Sequence, residues 1–449
     1  MFLIIGIMVV LIGFLNLIIY CLNWFYPIIL VSRQSYQILF IRLYFFFLVS
    51  ISSRLKEVSF LFEGQTELIA REFPQLQEMI WLNSSGTVPL PKSSLEATIK
   101  ILRWHSDWKG DFQQRTQEGE KIKESAKNEA AKMLACSPDN LAYIANTSHG
   151  LNFPLHGIDW ERGDNIVTSA LEFPANYLPW KYRAKKSGVD LRVAPINSRG
   201  QITEEEIIAL IDNDTKLVAL SLVQFSNGQR VDAPTIAKVA HEHDALLCLD
   251  AIQACGGVEV YPEEMAVDFL TAGGPKFLMS PLGIGLCYIS SRALAQIEPP
   301  LQGWINYDYS DGNYMNKNPA YRKGAGRFEH GSVSLYLIAG MNSSLQLINS
   351  VGIKTVAAHN QGLARMMIEL FEDQGYTVIT PLPPNKRGAS INVRVGEAMD
   401  LAKIVEILDT QHNIKISARF GGLRLSTHLY NTEVEIQKAY EIIHSLVQA

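Results

Sequence analysis

From about Gln65 onward, short apolar runs alternate with segments of helical periodicity. This alternation is typical of βα units on a mainly parallel sheet. The nearly continuous apolar run LVALSLV predicts a strand that is buried on both faces. The predicted strands are residues 165–170, 191–196, 216–223, 245–250 and 267–273, and the run 286–291 after a Gly-bearing turn predicts an antiparallel return strand.

Between these runs the pattern predicts helices at 203–212, with Thr203 as N-cap, and at 233–243. After about Gly331 the pattern changes. Two long helices, 334–352 and 354–375, lead into a smaller α+β unit with strands near 376–380, 390–395 and 422–429 and a closing helix from Thr432. The sequence therefore predicts an α/β chain with a large domain at 81–335 and a small C-terminal domain at 336–449.

The hydrophobic N-terminal segment, residues 1–55, differs from the rest. Residues 1–32 contain no Asp, Glu, Lys or Arg and exceed the ~20 apolar residues that span a bilayer. The first charges follow on the C-terminal side, which by the positive-inside rule places the rest of the chain in the cytoplasm. The segment is either a membrane anchor or a mis-assigned start. In the first case, the further aromatic stretch at 43–51 lies at the interface or forms part of a hairpin. A helix is expected at 56–80.

Composition excludes some classes of function. The net charge of −5 and the absence of a basic stripe argue against nucleic-acid binding. The cysteines are scattered without CxxC pairs or histidine clusters, which argues against a disulfide framework and a metal site and suits a reducing compartment. They are Cys21, Cys136, Cys248, Cys255 and Cys287.

Three features place reactive groups where open α/β sheets bind ligands, at the carboxyl ends of strands. Asp250 ends the run ALLCLD, Lys276 follows VDFLTAGGP, and Thr147 and Ser148 stand in a strand-to-helix turn suited to phosphate. Taken singly, each has an ordinary interpretation: a helix cap, a solvated lysine, an N-cap. Together they supply the lysine, the acid and the phosphate cradle that pyridoxal-phosphate chemistry requires.

In their order and spacing, the motifs of this chain resemble those of class V aminotransferase-fold enzymes. That group includes cysteine desulfurases, kynureninase and isopenicillin-N-epimerase-like proteins. The resemblance runs from about Trp81 to the C-terminus and implies a fold type I, aspartate aminotransferase-like architecture. It rests on WLNSSGTVPLP, ANTSHGLN, LEFPANYLPW, FSNGQRVD, LDAIQACGG, AGGPKFLMSPLGIGLCY, RFEHGSVS and GGLRLSTHLYNT.

The resemblance implies a pyridoxal 5'-phosphate cofactor, with Lys276 as the catalytic Schiff-base lysine and Asp250 at the pyridine nitrogen. The other cofactor-binding residues are expected to contact the phosphate, the ring face and the 3-oxygen of the cofactor. These are Thr147, Ser148, His149 (through its backbone), Phe173, Asn227 and Gln253.

Further implied residues concern the substrate and a second subunit. Arg424 is expected to bind the α-carboxylate of a small amino-acid substrate, and Asn83 is a further substrate-binding residue. Arg419 nearby either assists, binds a second carboxylate or is solvated. Ser332 is expected to reach the phosphate of the neighbouring subunit, which implies a homodimer with shared active sites.

Departures from the family pattern narrow the reaction. Phe173 replaces a stacking histidine, so Lys276 is left as the main acid–base group. Gly273 to Pro275 lack the usual serine and histidine. No cysteine lies in 413–424, which disfavours persulfide-forming desulfurization. Epimerisation needs a second base, for which the candidates are His330, His428 and Tyr177.

Two hypotheses follow. The first is a pyridoxal-phosphate enzyme that acts on an amino acid as an aminotransferase, an epimerase or a C–S or C–C lyase. The alternative is a membrane-tethered binding protein that has lost catalysis, motivated by residues 1–32 and by Gly273 to Pro275. Membrane contact is expected only through residues 1–32.

Overall fold

The structure is a computed structural model that describes residues 66–107, 110–396 and 398–448. Its strands are β1 (Ile80–Trp81), β2 (Leu141–Ile144), β3 (Asn165–Ser169), β4 (Asp190–Ala194), β5 (Thr215–Ser221), β6 (Leu246–Asp250), β7 (Phe269–Gly273), β8 (Gly285–Ile289), β9 (Thr377–Val378), β10 (Ser390–Arg394), β11 (Ile414–Lys415), β12 (Ser417–Arg419) and β13 (Gly422–Ser426).

Its α-helices are α1 (Lys92–Ser106), α2 (Phe112–Leu134), α3 (Thr147–Gly157), α4 (Leu178–Ser187), α5 (Glu204–Ile208), α6 (Ala233–Glu242), α7 (Ser291–Gln296), α8 (Leu335–Val351), α9 (Ile353–Glu372), α10 (Leu401–His412) and α11 (Glu433–Gln448). Residues 66–72 are also helical. Short 3-10 turns lie at Pro74–Leu76, Pro138–Asn140, Pro174–Asn176, Trp304–Asn306, Gly324–Phe328 and Pro384–Lys386.

A seven-stranded sheet has the order β2-β8-β7-β6-β5-β3-β4. Its neighbours pair in parallel, except that β8 is antiparallel to both β7 and β2. The predicted α/β class and the antiparallel return strand are confirmed. The sequence does not predict β2, because four apolar residues after a turn do not distinguish a strand from a helix. Thr203 caps α5 as predicted, by accepting from the Glu206 amide.

Both faces of this sheet are covered, as the continuous apolar runs predict. Along β5, Leu217 and Ala219 belong to one buried cluster, and Val218 and Leu220 belong to another. This alternation follows from the two-residue period of a strand, which sends successive side chains to opposite faces. Burial on both sides leaves the strand ends as the place where polar groups meet ligands.

A second, antiparallel sheet has the order β12-β13-β10-β9. Its apolar face packs on α9, α10 and α11 through Ile391, Val393, Leu423 and Leu425. Its other face carries polar residues, since Asn392 pairs with Arg424, and Arg424 with Ser417. The expected smaller α+β unit is therefore present. The domain limits at 335 and 336 stay a prediction; α8 buries Met341 and Leu345 in the cluster that also covers one face of the central sheet.

The N-terminal segment 1–55, including the proposed anchor at 1–32, lies outside the described residues. Within the predicted helix 56–80, residues 66–72 are helical, and Pro74 opens a 3-10 turn. No helix in the part of the chain described here is both long and apolar enough to cross a membrane. The described residues from Leu68 onward belong to one compact unit.

Gly256 fixes the turn after β6 against the residue that follows Lys276. It has a φ of +91°, and a Cβ built there would lie 2.1 Å from the Phe277 carbonyl oxygen. We expect Gly256→Ala to lower the free energy of unfolding by about 2–3 kcal/mol. The control Gly362→Ala, on exposed α9 surface with open space around it, should raise it by about 0.5–1 kcal/mol. Urea denaturation measures both, and a Gly256→Ala variant as stable as wild type would contradict this account.

Candidate active site

The carboxyl ends of neighbouring strands meet at one edge of the central sheet. Ser221 ends β5, Asp250 ends β6 opposite it, and β7 ends three residues before Lys276. Helix α3 begins at the same edge, because it follows β2. A cavity opens there, lined by Asn146, Thr147, Ser148, Phe173, Ala175, Ser221, Phe225, Asp250, Ile252, Gln253, Gly273, Pro275 and Lys276.

Asp250 is the buried acid of this cavity. Its Oδ1 accepts a hydrogen bond from the Ile252 amide at 3.0 Å. Burial raises the pKa of Asp250 to about 6; the Ile252 amide and Lys276 oppose this rise, and Glu172 adds to it. A partly shielded carboxylate with a near-neutral pKa is suited to share a proton with a basic ring nitrogen.

Glu172 is a second buried carboxylate beside Asp250. It accepts from the Ser221 amide and hydroxyl, from Asn176 and from Gln224. Burial raises the pKa of Glu172, and these donors oppose the rise. Its partners fix the segment after β3, which carries Phe173, to the end of β5.

Lys276 is the half-buried base of the cavity. Burial lowers the pKa of Lys276 to about 8 from an ordinary value of 10.5; Asp250 opposes this shift, and Arg424 and Arg419 reinforce it. Its Nζ lies 5.8 Å from the centroid of the Phe173 ring. Phe173 in turn contacts Phe225 edge-on, with ring centroids 5.1 Å apart. An amine with this pKa is partly neutral near pH 7 and can act as a nucleophile and base.

The N-terminus of α3 borders the cavity with exposed Ser148 in its first turn. Asn146 caps the helix by accepting from the His149 amide at 3.0 Å. Thr147 Oγ1 accepts from the Gly273 amide at 3.0 Å. A Cβ on Gly273 would lie 3.2 Å from that hydroxyl, so glycine lets the threonine come close. The helix terminus supplies amide donors and positive potential, which favour a phosphate.

Gln253 and the segment after β1 join the two sheets at the cavity. Gln253 Nε2 donates to the Ser85 carbonyl at 3.0 Å, while its buried Oε1 has no hydrogen-bond partner among the described residues. Thr87 Oγ1 donates to the Pro275 carbonyl at 3.1 Å, directly before Lys276. A buried amide oxygen without a partner is costly, so this position favours a ligand that donates a hydrogen bond.

Arg424 is a buried cation that contacts Phe225, one of the residues lining the cavity. Its Nη1 donates to the Phe225 carbonyl at 2.7 Å, and Nη2 lies 3.5 Å from Asn83 Oδ1. Its Nε has no partner, and no carboxylate of residues 66–107, 110–396 or 398–448 forms an ion pair with it. Burial, together with the smaller effect of the Arg419 charge, lowers the pKa of Arg424 to about 10. An unpaired buried guanidinium is costly, which favours an anionic ligand.

Three of the predicted cofactor residues, Asn227, Ser332 and His149, do not line this cavity. The backbone amide of His149 donates to Asn146. Asn227 is buried, donates to the Gly200 carbonyl and accepts from the Gln229 amide, so its amide supports the turn that follows Phe225. Ser332 is exposed and lines a second cavity beside His149 and His330. Their roles at the cofactor stay predictions.

The structure also shows the surroundings of the three candidate second bases. Both ring nitrogens of His428 bond to backbone, at the Phe277 carbonyl and the Leu429 amide, and burial lowers the pKa of His428 to about 4. His330 contacts His149 edge-on in the second cavity. Tyr177 does not line the cavity of Lys276.

Sequence reasoning misses Ser221, Phe225 and Asn146 as lining residues. The signal for Ser221 is its position at the end of a predicted strand next to that of Asp250. Phe225 has no such signal, since its contact with Phe173 and Arg424 depends on how the loop after β5 returns.

The family model for aminotransferase class-V matches residues 80–439. The chain belongs to this family. That confirms the resemblance drawn from the motifs, and pyridoxal phosphate is the cofactor of this class-V chain.

Individual relatives and solved structures are consistent with this family assignment. A probable cysteine desulfurase of Methanothermobacter thermautotrophicus is 26% identical over 85% of this chain and 98% of the relative. An apo structure of a cysteine desulfurase from Thermococcus onnurineus has a TM-score of 0.75 at 23% identity and covers 85% of this chain and 98% of that one. A cystine C-S lyase solved with its product cysteine persulfide has a TM-score of 0.76 at 20% identity, over 83% and 98%. At these identities the two structures show the fold.

The residues present fit the cofactor. Asp250 and Lys276 face one cavity without an ion pair between them, the Gln253 oxygen lacks a partner, and the amides of α3 border the same space. The Thr147 hydroxyl accepts a hydrogen bond from the amide of Gly273, the residue at which the family pattern has a serine. These groups would hold the ring nitrogen, the 3-oxygen and the phosphate.

The low pKa of Lys276 predicts how cofactor uptake depends on pH. Only the neutral amine attacks an aldehyde, so the rate of pyridoxal-phosphate binding to the apoenzyme should rise with pH and level off above about 8. Asp250→Asn removes an interaction that raises the pKa of Lys276, so its midpoint should move to lower pH. Stopped-flow absorbance measures both rates. A midpoint near 10.5, as for a solvated lysine, would contradict the burial described here.

Proposed function

We propose that this chain is a pyridoxal-phosphate-dependent lyase that cleaves the Cβ–S bond of a small α-amino acid and releases the sulfur to solvent. Buried, unpaired Arg424 beside Lys276 carries the proposal, because it supplies a site for an α-carboxylate next to a base. The relatives named cysteine desulfurase support a sulfur-containing amino acid as substrate.

The chemistry is divided among few groups. When bound, pyridoxal phosphate withdraws electrons from the substrate's α-carbon and so makes its proton acidic. Lys276 Nζ accepts that proton and returns one to the departing sulfur. Asp250 would hold the protonated ring nitrogen of the cofactor, and Arg424 would bind the carboxylate and so keep the α-carbon near Lys276.

The net reaction is balanced without an oxidant or reductant. A thioether or thiol amino acid and one water give a thiol or sulfide, pyruvate and ammonium. Loss of the Cα proton and of the sulfur leaves an unsaturated amine, which water hydrolyses. The protein needs to supply only one acid–base group for these steps.

The hairpin between β12 and β13 supports release of sulfur to solvent. Phe420 and Gly421 alone connect these strands, with φ of +50° and +72° as in a type I′ turn. So tight a connection has no room for a mobile loop bearing a nucleophilic cysteine before Arg424. The described cysteines are poor nucleophiles: Cys248, Cys255 and Cys287 are buried, and burial raises the pKa of Cys136 to about 12, with Glu263 adding to the rise.

The cavity lining favours elimination over epimerisation. Asp250 and Lys276 are the only carboxylate or amine among its lining residues, and no histidine lies there. Epimerisation needs proton transfer on both faces of the α-carbon, whereas elimination uses one base. Neither the relatives nor the described residues offer support for the alternative of an inactive, membrane-tethered binding protein.

Product analysis tests the reaction. We expect the holoenzyme to convert an S-substituted L-cysteine into thiol, pyruvate and ammonium in equal amounts. Lys276→Ala should reduce the rate at least about 1,000-fold, and borohydride should no longer link cofactor to protein. The control Lys216→Ala, on an exposed lysine of β5, should keep full activity. Racemised substrate without pyruvate, or sulfur bound covalently to the protein after turnover, would overturn the proposal.

Arg424→Gln tests the carboxylate site. We expect KM to rise roughly 100-fold, since the bidentate charged hydrogen bonds are lost, while the cofactor absorbance is retained. Arg424→Lys should recover part of the loss, because a point charge replaces the fork. Unchanged KM in Arg424→Gln, with the cofactor bound, would place the carboxylate elsewhere.

A further inference from the structure

The hairpin of β12 and β13 places two arginines on one face of the C-terminal sheet. Arg419 pairs with Gly422, and Ser417 pairs with Arg424. Arg419 and Arg424 are therefore diagonal neighbours across two antiparallel strands, with Cβ atoms about 7–8 Å apart or slightly less. Two like charges at this spacing repel each other unless an anion lies near both.

This face is the polar one, turned away from the core formed by Leu423 and Leu425. Besides Arg424 Nε, two buried oxygens on it have no hydrogen-bond partner among the described residues: Asn392 Oδ1 and Ser417 Oγ. Both residues stand directly opposite Arg424 on the neighbouring strands. The face is thus built for polar contact but is not satisfied by the protein itself.

Arg419 stands at the open end of this face. Its side chain is exposed, and Nη1 donates only to the adjacent Ala418 carbonyl at 2.7 Å. In the described part of the chain, no carboxylate forms an ion pair with it. Its carbonyl accepts from Asn392 Nδ2 at 2.8 Å, which fixes the backbone at the turn. The charge of Arg419 also contributes to the lowered pKa of Lys276.

We propose that Arg419 binds a second anionic group, at the end of the substrate's side chain, so that the preferred substrates are α-amino acids with a side-chain carboxylate. The inference rests on the proposed function in one respect: Arg424 takes the α-carboxylate. Two cations on one face of the sheet can each bind one carboxylate of a short dicarboxylic amino acid. A neutral side chain would leave Arg419 without a counter-ion.

Binding tests this selectivity without requiring cleavage. L-glutamate and L-glutamine have nearly the same shape, differ in side-chain charge and lack a C–S bond. Titrated into the holoenzyme and followed by cofactor absorbance, glutamate should bind about 10-fold more tightly. Arg419→Gln should weaken the binding of glutamate to the level of glutamine and leave the binding of glutamine unchanged. The control Arg365→Gln, on an exposed arginine of α9 paired with Glu369, should keep the preference.

Turnover provides the second measurement. We expect kcat/KM for S-carboxymethyl-L-cysteine to be about 10-fold higher than kcat/KM for its amide, S-carbamoylmethyl-L-cysteine. Arg419→Gln should abolish this difference, because it lowers kcat/KM only for the carboxymethyl substrate. Equal binding of glutamate and glutamine, or a preference that survives Arg419→Gln, overturns the role of Arg419. Selective binding of glutamate with no cleavage of either cysteine derivative overturns the lyase proposal instead and leaves the role of Arg419 standing.

Discussion

Asp250, Lys276 and Arg424 are ionisable groups that the fold withdraws from water into one region. Each is costly to bury alone. Burial raises the pKa of Asp250 and lowers the pKa values of Lys276 and Arg424, so that in each case the neutral form is favoured. Asp250 and Lys276 partly compensate each other, but Arg424 has no anion among the described residues. The remaining cost is met when ligands carry charge into the cavity, so the same arrangement that destabilises the free protein favours cofactor and carboxylate binding.

Holding these groups requires two sheets that are distant in sequence. The central sheet supplies Asp250 and Lys276 from adjacent strand ends, whereas the antiparallel sheet supplies Arg424. The segment after β1 connects them, since Asn83 contacts Arg424, Ser85 accepts from Gln253, and Thr87 bonds to the Pro275 carbonyl. A small shift of this segment would change both the lysine turn and the carboxylate site.

The two-residue connection in the hairpin that carries Arg424 is the basis for the proposal that sulfur is not passed to a protein thiol. A two-residue turn fixes the strands rigidly and leaves Arg419, rather than a thiol, beside the cavity. The solved structures share the fold along most of their length, so the proposed difference in chemistry would reside in a short connection. This is the usual way in which one scaffold serves several reactions.

By itself, the sequence determined the alternation of strands and helices, the family, the cofactor and the positions of Lys276, Asp250 and Arg424. Apolar periodicity and motif order are local properties, and each strand end is visible as the last residue of an apolar run. Only the tertiary structure decided which groups lack partners: the Gln253 oxygen, Arg424 Nε, and Asn392 and Ser417 opposite it. It also showed Asn227 bonded to Gly200 and His428 held by backbone, because the partner of a polar atom depends on which distant segments the fold brings together.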